Sequence, residues 1–207
     1  MRTIDINTWE RKQQFEHFKD FADPYFALTI PFDVSIAYKH AKELGISFFA
    51  KYLHDCMKAI NSVDNLKYRI VNNEVVVYDV IHASATLMRP DRTFSLSFIE
   101  FDHDINVFIS NLNKEKARIE RSNNFYPPVN EPNCIHCSAI PWVNFTSNKE
   151  ARSGEPDSVP KLAFGKTETN ADGRLMMNVS IAASHALVDG YHFGLFSDAF
   201  QMNLNQK

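Results

Sequence analysis

The chain has 207 residues, 44% of them hydrophobic and 23% charged, which is a length for one sizeable domain and the composition of an ordinary globular protein. A net charge of −3 leaves no basic footprint for nucleic acid, and no apolar run approaches the roughly 20 residues of a membrane span. The three cysteines, Cys56, Cys134 and Cys137, are too few and odd in number for a disulfide framework, and MRTIDINTWERKQQF lacks a signal-peptide core, so the expected compartment is the cytoplasm.

In chain order, Trp9–Phe21 places Phe15, Phe18 and Phe21 at helical spacing and predicts an amphipathic helix. Tyr25–Phe32 reads as a strand, and residues 34–43 as a short helix ended by Gly45. Ser47 is placed to cap a longer helix whose inward stripe is Phe49, Leu53, Cys56, Met57 and Ile60. Strand-like runs follow at Tyr68–Val71, Glu74–Tyr78, His82–Met88 and Thr93–Glu100, separated by polar turns such as Asn72-Asn73 and Pro90-Asp91. Asp104 to about Arg121 predicts a second long helix with Ile105, Val107, Phe108 and Leu112 inward. Cys134–Ile140 reads as a buried strand, and 147–160 as the most loop-like stretch. Lys161–Lys166 and Arg174–Ala183 predict two strands joined by the turn Asn170–Gly173, and Tyr191–Asn203 a terminal helix. No repeat or linker divides the chain, so the expectation is one domain over 1–207, of α/β or α+β class, with one large mixed sheet packed with helices.

The sharpest chemical feature is Ser184-His185-Ala186-Leu187-Val188-Asp189-Gly190: a strand ends, His and Asp follow four residues apart, and a helix begins. A strand-exit His can face a cleft on a rigid backbone, and an imidazole titrates near neutrality, so it can take a hydroxyl proton and return it. Asp189 is placed to cap the following helix and to accept a charge-assisted hydrogen bond. Other chemistry-bearing residues read more plainly. On a strand, Cys134 and His136 share one face and Cys137 the other, with no second Cys/His pair, so no metal site is expected. His192 reads as a surface or core residue of the last helix, and Ser197 and Asp198 lack an adjacent base.

The His-x-x-x-Asp-Gly segment resembles the signature of the chloramphenicol acetyltransferase family within the coenzyme A-dependent acyltransferase superfamily, whose fold is a two-layer α/β sandwich. The resemblance extends in order along the chain: Trp9-Glu10-Arg11-Lys12 with Phe15, Val75–Asp79, Arg92-Thr93-Phe94-Ser95, and Ser138-Ala139-Ile140-Pro141-Trp142-Val143-Asn144-Phe145. It implies an O-acetyltransferase in which His185 is the general base toward a small acceptor alcohol, chloramphenicol or a relative, and acetyl-CoA is the co-substrate. It further implies Ser138 as the oxyanion donor, an Asp189–Arg11 ion pair that steadies the His loop, and Lys166 as a contact to coenzyme A. Phe18, Phe26, Phe94 and Phe125 or Tyr126 are the implied acceptor-pocket aromatics. The implied assembly is a homotrimer with active sites between subunits. Against the family pattern, Ser184 replaces a second His, Ala163 a Thr, and Thr167 an aromatic. Phe18 stands where the family has a pocket Tyr, His17 where it has a Phe, and the 147–160 loop brings Glu150 and Arg152. The retained His185, Ser138, Asp189 and Arg11 favour catalysis over a silent coenzyme A- or ligand-binding trimer. Another alcohol or an amine is the alternative acceptor.

Overall fold

The computed structural model describes residues 1–151 and 157–206. A six-stranded mixed sheet carries the fold, in the order β2-β9-β8-β7-β5-β6: β2 (Tyr25–Asp33), β5 (His82–Met88), β6 (Phe94–Leu96), β7 (Cys134–Ala139), β8 (Lys161–Thr169) and β9 (Leu175–Ser184). Pairs β5–β7 and β7–β8 are parallel, and the rest are antiparallel. A smaller sheet, β1-β4-β3, joins β1 (Arg2–Thr3), β4 (Glu74–Val77) and β3 (Tyr68–Val71). Asn72 and Asn73, both at positive φ, make the tight β3–β4 turn that matches the twist of a hairpin.

Among the described residues there are five α-helices, α1 (Lys12–Phe18), α2 (Ser35–Glu43), α3 (Phe48–Ser62), α4 (Ile105–Arg121) and α5 (Gly190–Leu204), and a 3₁₀ turn at Asp64–Lys67. Helix α3 is the axis of the core. It packs against α2, α4 and α5, and Leu53, Cys56, Met57 and Ile60 are fully buried with Ile135, Leu162, Val179 and Phe196. Gly45 ends α2 at φ +66°, a conformation that costs a glycine little. Among the described residues no helix is long and apolar enough to cross a membrane.

Several boundaries differ from the sequence expectation. Helix α1 is seven residues long. Arg11 holds its N-cap position, Pro24 forces the chain before it extended, and Phe21 is left exposed. Ser47 occupies the N-cap of α3, but its side chain makes no capping hydrogen bond. Phe49 is only half-buried because it packs on the core with one side and opens onto a cleft with the other. Strand β6 stops at Leu96, because the Ser97 hydroxyl turns into the ladder and bonds both the amide and the carbonyl of Ala85. Ile99 then rejoins Ala83 by a lone bridge. Val107 points to solvent on α4, while Phe108, Leu112 and Ile119 carry its buried face. Strand β8 runs three residues past Lys166, after an irregularity between Phe164 and Thr167.

Candidate active site

The candidate side chains fall into two groups at the ends of the central strands. The first surrounds His185, immediately past β9, where its amide donates to the Pro24 carbonyl at 2.8 Å. The Phe18 ring lies parallel to the imidazole, with centroids 4.3 Å apart and 2° between planes. Phe26 covers the ring at 4.5 Å and stacks in turn on Phe193 at 4.6 Å. Nδ1 of His185 is buried without a hydrogen-bond partner among the described residues, so aromatic contact sets the ring's position.

Arg11 secures the backbone behind that ring. Its Nη1 donates to Asp189 Oδ2 at 2.5 Å, and its Nη2 lies 3.5 Å from the His185 carbonyl. Asp189 is also the N-cap of α5, accepting from the Tyr191 amide at 3.1 Å. Burial alone would raise the Asp189 carboxyl, but the Arg11 hydrogen bond and the charges of His192 and Arg11 outweigh it and hold its pKa below the ordinary carboxylate value. A depressed carboxylate stabilises the fold above its unfolded pKa, and that contribution is lost as pH falls through the folded pKa.

Arg11 is nearly buried and Asp189 about one-third exposed, with side-chain exposures of 10% and 34%. Arg11→Val therefore lowers stability by about 1–3 kcal/mol, less than for a fully enclosed pair, because water reaches the carboxylate left behind. Thermal unfolding at neutral pH checks this. An unchanged midpoint would mean that the pair contributes nothing to holding the loop.

The second group lines a cleft of about 830 Å³. Ser138, at the end of β7, opens onto it with Phe94 and Lys166, and Phe48, Phe49, Tyr52, Met88 and Trp142 supply most of its apolar wall. Phe125 lies 5.6 Å from Phe94 and 5.0 Å from Tyr126, so these rings continue outward from the cleft. Gly165 also lines it. A Cβ there would come within 3.0 Å of the Asn178 carbonyl and 3.3 Å of the Phe145 ring, so glycine permits this close layering. Lys166 is the cation on the cleft wall, half exposed and 4.0 Å from Glu168. Ala163 is fully buried beside Ser138 in the β7–β8 ladder.

Within one chain these two groups stay apart. Ser138 pairs with Ala163, and Ala163 with Ser180, five residues before His185. Two strand spacings across and five residues along put Ser138 and His185 roughly 19 Å apart. His185, Phe18 and Phe26 do not line the cleft.

His17 is exposed and touches Phe18 and Phe21 edge-on, at 4.7 and 5.1 Å. Glu150 accepts from Asn148 at 2.6 Å and is absent from the cleft wall, while Arg152 lies outside the described residues. His192, read from sequence as an unremarkable helix residue, sits against the Asp189 carboxylate. A His three residues after the N-cap was the local signal for it. Thr86, Leu87 and Met177 of the wall carry no sequence signal, since they meet only through the sheet.

The fold is shared with acyltransferase cores. A truncated catalytic core of the 2-oxoacid dehydrogenase multienzyme complex from Thermoplasma acidophilum aligns with a TM-score of 0.71 over 100% of this chain and 96% of that one, at 12% identity. A solved chloramphenicol acetyltransferase aligns with a TM-score of 0.87 at 29% identity, covering 98% of this chain and 99% of that one. Chloramphenicol acetyltransferase 3 of Escherichia coli is 27% identical over 207 residues, 99% of this chain and 97% of its own. The family model for chloramphenicol acetyltransferase matches residues 1–201, and the chain belongs to that family of acyltransferases, which use acetyl-CoA as co-substrate.

Proposed function

We propose that this protein transfers acetyl from acetyl-CoA to a hydroxyl of chloramphenicol or a related alcohol. It works as a homotrimer of single-domain chains, with each active site made between neighbouring subunits. The observation that carries this reading is the separation of a stacked, braced His185 from a cleft containing Ser138. One chain supplies the base and its neighbour supplies the cleft, as symmetry-related copies can. The cleft suits a pantetheine arm and acetyl group through its apolar wall, with Lys166 at hand for a coenzyme A phosphate. The three free, buried cysteines support a reducing compartment such as the cytoplasm.

In the reaction His185 takes the proton from the acceptor hydroxyl, and the oxygen forms a bond to the thioester carbonyl carbon. The carbonyl π electrons move to oxygen, where the Ser138 hydroxyl donates a hydrogen bond to the oxyanion. Collapse breaks the carbon–sulfur bond. The imidazolium returns its proton to the thiolate, giving the acetyl ester and coenzyme A thiol.

Release of coenzyme A thiol from acetyl-CoA, measured with chloramphenicol and a panel of alcohols and amines, tests the reading; no release with any acceptor overturns it. Chloramphenicol itself is expected to show a high KM, because Phe18 lacks the phenolic hydroxyl of the family's pocket Tyr. Phe18→Tyr restores one hydrogen-bond donor and lowers that KM about 2–10-fold. Saturation of the wild type at low chloramphenicol, with no gain in Phe18→Tyr, would overturn this account of the pocket and leave acetyl transfer standing.

A further inference from the structure

We propose that His192 is a positioning residue for acetyl transfer: its neutral imidazole accepts the Asp189 amide, leaves the Asp189 carboxylate to Arg11 and so holds His185, and its protonation undoes this arrangement. The proposal rests on the reading of His185 as the base.

Two contacts converge on one nitrogen. The Asp189 amide donates to His192 Nδ1 at 3.1 Å, closing a capping box at the head of α5, and the same Nδ1 lies 2.9 Å from Asp189 Oδ1. The first contact needs a lone pair on Nδ1 and the second needs a proton, so no single protonation state satisfies both. With Nδ1 unprotonated the capping box is whole, and repulsion between Nδ1 and Oδ1 favours the carboxylate's other oxygen engaging Arg11. With Nδ1 protonated, the imidazolium draws Oδ1 into a charge-assisted bond. The Asp189 amide then loses its acceptor, and a second cation stands beside Arg11.

Among the described residues, Arg11 is the only side chain that links this cluster to the His185 carbonyl. Its Nε is buried without a partner among the described residues, so the guanidinium has little to hold it if Asp189 shifts. The charged groups facing His192 are Asp189 at the head of α5 and Arg11 ahead of α1, and the Tyr191 ring lies 5.6 Å away. Burial lowers the His192 pKa, Asp189 pulls it back up, and Arg11 lowers it again. The folded chain thus binds this proton less readily than the unfolded one. Stability from the neutral capping box is full above the unfolded pKa, and it declines as pH falls through about 6.5 toward the folded value.

His192→Gln separates this role from a packing role, because a Gln oxygen at this helix position can accept the N-cap amide and does not titrate. The expected result is activity near wild type at slightly alkaline pH. The wild type then has a steeper acid limb in kcat/KM and falls behind the variant by about threefold or more at the acid end. The fall in thermal midpoint between about pH 7.5 and about pH 5.5 is also smaller in the variant. Acid limbs and midpoint curves that run parallel in the two proteins overturn the proposal. If His192→Gln does not fold, His192→Asn, whose side-chain oxygen replaces Nδ1, gives the same comparison. The midpoint curves need no turnover, so a wild type without acetyltransferase activity refutes the catalytic reading while the curves still decide the role of His192.

Discussion

His185→Ala lowers kcat for acetyl transfer by about 10²–10⁴-fold, the range of a positioned general base. The substitution removes an imidazole held between Phe18 and Phe26 at 4.3 and 4.5 Å, whose Nδ1 makes no hydrogen bond among the described residues. The lost ring therefore leaves few polar groups stranded. The backbone amide of residue 185 still donates to Pro24, and the Arg11–Asp189 pair is independent of the side chain. The two phenylalanines close over a half-buried position, so the thermal midpoint moves little while turnover collapses. Rates in His185→Ala within about a factor of ten of wild type would remove His185 from the role of base. A large loss of midpoint alongside the loss of rate would instead make the ring a packing element. Binding of acetyl-CoA persists, since the apolar cleft wall and Lys166, which are proposed to hold it, are untouched by the substitution.

The fold was legible where a period ran long. The stripe of α3 came directly from spacing, and the Asn72-Asn73 turn from residue type. It was not legible where a single side chain decided the outcome. Ser97 ends β6 by replacing a backbone partner with its hydroxyl, which no alternation pattern records. Strand β1 has two residues, too few for any period, and exists because Arg2 and Thr3 meet Val77 and Val76. Phe49 and Val107 fit helical stripes, yet one faces the cleft and the other solvent, because a stripe reports amphipathicity and not what covers it.

The site divides in the same way. His185 and Ser138 stood out as motif residues, each at the end of a strand. The Arg11–Asp189 pair spans 178 positions and has no local signature, and only likeness to a known pattern suggested it. The contact between His192 and Asp189 is local, three residues apart, but its meaning depends on Arg11 arriving from the other end of the chain.

Ser138→Ala lowers kcat by about 10²–10³-fold with little change in KM for acetyl-CoA, because the hydroxyl is proposed to donate to charge that exists only during reaction. Removing one hydroxyl from the end of β7 leaves the ladder to Ala163 intact, so folding is not at issue. A variant with raised KM and normal kcat would make Ser138 a substrate-positioning residue. The same variant tests where the site lies. Roughly 19 Å separates Ser138 from His185 along and across the strands of one chain, too far for both to reach one reacting carbonyl. If neighbours share each site, a subunit carrying Ser138→Ala still offers a sound His185, and one carrying His185→Ala still offers a sound Ser138. Co-expressed in equal amounts and purified through two different tags, the inactive parents regain about a third of wild-type turnover, since every mixed trimer, whichever subunit it holds twice, has one of its three interfaces with a sound His185 facing a sound Ser138. Mixed assemblies no more active than their parents would mean that base and oxyanion donor belong to the same chain, and the separation along β9 would then have to close by a movement of the His185 segment.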